Sequence, residues 1–73
     1  MEYMRFLGTG NNARAIERFA ARHGHGDALQ VNMASLAAVT PDGLIPLKVG
    51  QCVVIDELGE LIVTAPGWRP RST

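Results

Sequence analysis

The sequence predicts an α+β domain, with one N-terminal helix over about residues 12–23 packed on a small, mainly antiparallel sheet of short strands and hairpins. Three observations carry that expectation. A single stretch places apolar residues at helical spacing: Ala15, Ile16, Phe19, Ala20 and His23. The rest of the chain breaks into short apolar runs, some alternating with polar residues, which is the period of a half-buried strand. Turn residues punctuate those runs, most clearly at Thr40-Pro41-Asp42-Gly43, where proline presets φ and glycine supplies a positive one.

Taken in order, Tyr3 to Leu7 reads as a first strand with Met4 and Phe6 on one face. Gly8-Thr9-Gly10 ends it. Asn11 or Asn12 then suits a helix N-cap, because its side chain can accept from the free N–H groups of the first turn. The helix runs to about His23, and Gly24 stands where a left-handed cap belongs. After the loop Gly24-His25-Gly26-Asp27, Leu29, Val31 and Met33 alternate with Gln30 and Asn32 as a strand. Leu36 to Val39 is another. Leu44 to Val49 follows the turn, with Pro46 marking an edge or a bulge. Gln51 to Ile55 and Glu60 to Thr64 form a hairpin around Asp56-Glu57-Leu58-Gly59. Both faces of this hairpin are apolar, Cys52 and Val54 on one and Val53 and Ile55 on the other. Either the remaining strands wrap the second face or a partner subunit buries it.

The 73 residues make a single domain, 1–73, with 69–73 expected to be a loose tail. A chain this short buries only about 60% of its unfolded surface. Small scaffolds add disulfides, a metal or a partner subunit. Cys52 is the only cysteine, which excludes an internal disulfide and makes a homo-oligomer the expectation. Acidic and basic residues balance to zero net charge, so attraction to duplex nucleic acid is not expected. No apolar run approaches the ~20 residues of a membrane helix, so no membrane contact is expected. A lone thiol and the absence of an export signal point to a reducing cytoplasm. Lys48 is the only lysine, and arginine is the better residue for forked contacts to phosphate or carboxylate.

Four places invite chemistry. Gly8-Thr9-Gly10-Asn11-Asn12 joins a strand end to a helix start, where free N–H groups and the helix dipole attract anions. It lacks both a dinucleotide fingerprint and a Walker lysine, and caps and turns have the same composition. Arg14, Arg18 and Arg22 fall on one helical stripe, either as a solvated face near Glu17 or as an anion contact. Arg14 also sits unfavourably near the positive end of the dipole. Trp68 and Arg69 follow Pro66-Gly67, and the tryptophan is either a core plug or a surface for stacking a nucleobase. His23, His25 and Asp27 could ligate a metal, although His23 closes the apolar stripe. No paired carboxylates, activated cysteine or Ser–His arrangement stands out, so neither catalysis nor a cofactor is expected.

The C-terminal half carries a more specific pattern: Thr40-x-x-Gly43, Leu47, Gly50, Val53-Val54, Gly59-Glu60-Leu61 and Pro66. It resembles a family of short phage and prophage proteins with the hallmark T-x-x-G-x-x-x-V-x-x-G-D-[WY]-[IV]-[IV]-x-x-x-x-G-E-F, closing with a Pro and an aromatic. The N-terminal half fits through Thr9-Gly10-Asn11-Asn12, Ile16 and Phe19, where that family has Thr-Gly-Asp-Asn and a helix. Gln51 stands where the family has Asp, Cys52 replaces its aromatic, Leu61-Ile62 replaces an aromatic pair, and Trp68 is offset from the closing aromatic. Some small phage proteins of this type are sponges that hold cyclic oligonucleotides or related immune signals and so silence the infected bacterium's defence.

The resemblance implies a viral anti-defence sponge in the host cytoplasm that sequesters a nucleotide without cleaving it. Thr9, Gly10, Asn11 and Asn12 would hold phosphate or ribose. Arg14 or Arg69 would neutralise charge, and Trp68 would stack on a base. The rivals are an interaction protein that blocks a host defence or regulatory protein through its apolar hairpin face, and a small enzyme or metal protein built on His23, His25 and Asp27.

Overall fold

A computed structural model describes residues 1–70 and bears out the α+β class. In chain order it has β1 (Glu2–Arg5), α1 (Gly10–Arg22), β2 (Leu29–Asn32), β3 (Ser35–Thr40), β4 (Gly43–Pro46), β5 (Cys52–Ile55) and β6 (Leu61–Val63). The strands form two antiparallel sheets of three rather than one, β1-β5-β6 and β2-β3-β4. Residues 71–73 of the expected loose tail lie outside the described residues, whereas Arg69 and Pro70 line a cleft described below.

The core lies where α1 meets the inner faces of both sheets. Ala13, Ile16, Phe19 and Ala20 of the helix pack with Phe6, Leu29, Leu36, Leu47, Val53 and Ile55. Burying a side chain the size of Ile16 stabilises the fold by about 1.5–3 kcal/mol. The helical stripe is rotated slightly from the expected one. Ala13 is fully buried, while Ala15 is half-buried at the edge of a groove.

Both helix ends follow local rules. Thr9 is the N-cap, rather than Asn11 or Asn12, and its extended backbone lets Oγ1 accept from Asn12 N at 3.1 Å. The helix therefore starts two residues earlier than the pattern suggested. At the other end, Gly24 has φ 83°. Its N–H donates to Ala21 O, and His25 N–H donates to Ala20 O at 2.8 Å, the paired bonds of a Schellman cap. Gly8 is obligatory for two reasons. Its φ is +86°, and a Cβ there would lie 2.9 Å from Val49 Cγ2.

The first strand stops at Arg5, but Phe6 continues the pairing through Phe6 N to Gln51 O and Gly50 N to Phe6 O. The β4 strand ends at Pro46, earlier than Val49. Leu47 N–H donates to Leu36 O, so alternation turns the Pro46 nitrogen away from β3. Since β4 is an edge strand, a residue without an N–H sits on its open side, as the sequence suggested.

All four residues of β5 are buried. Val53 and Ile55 face the helix and core. Cys52 and Val54 face the other way, opposite Arg5 and Tyr3 of β1. The chain covers this second face itself. After β6 it folds back so that Trp68 packs edge-on against Tyr3, with ring centroids 5.4 Å apart, and Arg5 holds the Trp68 carbonyl. Both faces of β5 are thus buried within the chain, while Ile62 of β6, opposite Val54, stays 46% exposed. Among the described residues, no helix is long and apolar enough to cross a membrane.

Candidate functional site: an arginine and aromatic cleft beside β1

Strand alternation decides what β1 offers. With Met4 and Phe6 turned inward, Tyr3 and Arg5 must share the outer face. The Arg5 guanidinium bridges two distant loops. Its Nη1 donates to Gly50 O at 2.8 Å and its Nη2 to Trp68 O at 2.6 Å. Both acceptors are neutral carbonyls. Among the described residues, no carboxylate lies within ion-pair distance of this partly buried charge.

Arg69 follows directly on the clamped Trp68 and is exposed. Tyr3, Arg5, Gly67, Arg69 and Pro70 line an open cleft of about 550 Å³. Tyr3 is 42% exposed, which leaves ring surface free despite its contact with Trp68. Two cations and an accessible aromatic ring therefore face one cavity. The guanidiniums suit a phosphate or carboxylate, and the ring suits a planar or apolar moiety. Cys52 is fully buried beneath this face and offers no nucleophile to it.

The predicted site residues fall into two groups. Arg69 lines the cleft, while Trp68 lies beside it, half-buried and packed edge-on against Tyr3. Thr9, Gly10, Asn11, Asn12 and Arg14 form a separate corner, and their polar groups are largely spent on the fold. Thr9 Oγ1 caps the helix. Asn12 Oδ1 accepts from Leu7 N at 2.6 Å, and its Nδ2 donates to Arg5 O at 3.0 Å, tying helix to strand. Arg14 Nη2 donates to Asn11 Oδ1 at 2.7 Å. The Met33 carbonyl crowds Gly10, lying 3.3 Å from where a Cβ would stand. An anion bound through these side chains would have to displace those contacts.

The histidines are also engaged in the fold. His23 Nε2 lies 3.1 Å from Glu2 Oε2, and its ring packs edge-on to Phe19. His25 Nε2 lies 2.6 Å from Gly59 O, so that nitrogen carries the proton. Among the described residues, no three His, Cys, Asp or Glu side chains converge as a metal site.

Sequence reasoning missed Tyr3 and Arg5. The signal was present, since the same alternation that puts Met4 and Phe6 in the core puts these two together outside. No family model matches this chain, and no curated protein or solved structure is significantly similar to it.

Proposed function

We propose that the chain is a non-catalytic binder of a small, phosphate-bearing aromatic ligand, a nucleotide, held in the cleft of Tyr3, Arg5 and Arg69 beside Trp68. One observation carries the reading: two guanidiniums without a carboxylate partner among the described residues face a single cleft beside an exposed aromatic ring. A partly buried cation without a counter-ion gains from an anionic ligand, and forked arginine contacts suit phosphate. Among the described residues that line the cleft there is no carboxylate, histidine or cysteine to pair with the Tyr3 phenol, which favours holding a ligand over cleaving it.

In its specific form, the protein is a viral anti-defence sponge that sequesters a cyclic oligonucleotide immune signal in the cytoplasm of an infected bacterium. The motif resemblance supplies that role. The test is to incubate purified protein with cyclic di- and trinucleotides, remove free ligand, then heat and weigh what is released. Intact nucleotide in stoichiometric amount supports the reading, and failure to retain any nucleotide removes it.

A second reading, an interaction protein that blocks a host protein, is favoured by a different surface. Val39 and Leu44 pair across the outer face of the β3–β4 hairpin at 46% and 51% exposure, and Ile45, on the opposite face, is 57% exposed. A stoichiometric host protein recovered by pull-down, and lost on Leu44→Asp, would favour it.

A further inference from the structure

The β5–β6 turn presents an exposed leucine on a rigid mount. Leu58 is 88% exposed, the most exposed of the large hydrophobic residues. Yet its turn is fixed at several points. Asp56 Oδ1 accepts from Leu58 N and from Glu60 N, each at 2.9 Å, while Gly59 N donates to Asp56 O. His25 Nε2 then pins the Gly59 carbonyl to the body of the protein. A side chain already held in place loses little freedom on docking. Glu57 and Glu60 flank it, both exposed.

A surface complementary to this tip exists on the same chain. Met4, Ala15 and Ala21 floor a groove of about 540 Å³ between β1 and α1, and Arg18 and Arg22 border it. The helical spacing i, i+3, i+6, i+7 brings these helix residues onto one face. Among the described residues, neither arginine has an ion-pair partner. The net charge of zero therefore conceals a separation: acid around an apolar knob at the turn, and base around an apolar groove at the helix.

Tip and groove also share one end of the molecule. Glu2 pairs with Ile55, the residue before the turn, and Glu2 reaches His23, the residue after Arg22. An acidic knob beside a basic socket is self-complementary about a two-fold axis, so that each copy can fill the other's groove at the same time.

We propose that the chain forms a two-fold homodimer in which Leu58 of each copy enters the Met4–Ala15–Ala21 groove of the other, with Glu57 and Glu60 facing Arg18 and Arg22. The occupant is a second copy because the chain itself carries both the knob and the charge pattern that matches the groove. These residues lie outside the nucleotide cleft, so this proposal and the nucleotide reading fail independently.

Sedimentation equilibrium from micromolar to millimolar protein tests it. The wild type forms a dimer that weakens as salt rises, because exposed ion pairs are screened. Leu58→Asp loses the dimer while its far-UV circular dichroism stays native. The charge reversals Arg18→Glu/Arg22→Glu and Glu57→Lys/Glu60→Lys are each monomeric alone, and mixing them restores a one-to-one heterodimer. A wild type that stays monomeric throughout overturns the proposal. A dimer that survives Leu58→Asp, or charge-reversed partners that fail to pair when mixed, overturns it equally.

Discussion

Asn12 has a larger structural role than its neighbours in the Thr9–Arg14 corner. Its amide joins the first helical turn to two backbone groups of the preceding strand and loop, Leu7 N–H and Arg5 C=O. Removing it breaks two hydrogen bonds of about 0.5–1.5 kcal/mol each. Asn12→Ala is therefore expected to cost about 1–2 kcal/mol in urea unfolding, of a total of roughly 4–11 kcal/mol for a domain this size. Thr9→Ala costs about 1 kcal/mol as a lost cap. Arg14→Ala, which removes an exposed hydrogen bond to Asn11, changes stability by less than about 0.5 kcal/mol. If this corner were a ligand site rather than a junction, Arg14→Ala and Asn12→Ala would both abolish nucleotide binding. The geometry predicts that Arg14→Ala leaves binding intact. The sequence pointed to this corner because cap residues and anion cradles share the same small polar residues. Only the bond partners distinguish them, and Thr9, Asn11 and Asn12 are close enough for any of the three to cap.

At the level of elements, β5 is the strand on which the fold depends, since both its faces are buried. Its outer face is closed by the segment after β6 rather than by another strand. Deleting residues 66–73 removes the ring that packs on Tyr3 and one of the two acceptors that hold Arg5. The truncated protein is expected to melt at a lower temperature and to expose Cys52. In the intact protein the Cys52 thiol is fully buried, so reaction with a thiol reagent should follow global unfolding. The truncation should raise that rate at least tenfold under native conditions, and an unchanged rate would show that the segment does not seal the strand. Helix α1 and the β5–β6 hairpin were legible because each carries its own period and its own caps. The cover over β5 was not. It depends on Arg5 meeting Trp68 across a sequence separation of 63, and no local pattern encodes such a pairing. The division into two sheets was hidden for the same reason, because short alternating runs specify strands but not which strands pair.

For the whole molecule, a chain of 73 residues that closes its own core leaves function to its surface. Three surfaces stand out: the cleft beside β1, the knob and groove at the far end of the helix, and the apolar β3–β4 hairpin. Composition gave none of them, since zero net charge averages over regions of opposite sign. The cleft carries the functional account. Arg69 touches it without supporting the fold, so Arg69→Ala should weaken nucleotide binding by about tenfold or more, as expected for one charge-assisted contact, with no change in melting temperature. Isothermal titration of the wild type, Arg69→Ala and Arg14→Ala with the nucleotide that the wild type retains is the most direct measurement. The cleft reading predicts one saturable site, weakened in Arg69→Ala and unaltered in Arg14→Ala. A site that is lost in Arg14→Ala and untouched in Arg69→Ala would contradict it.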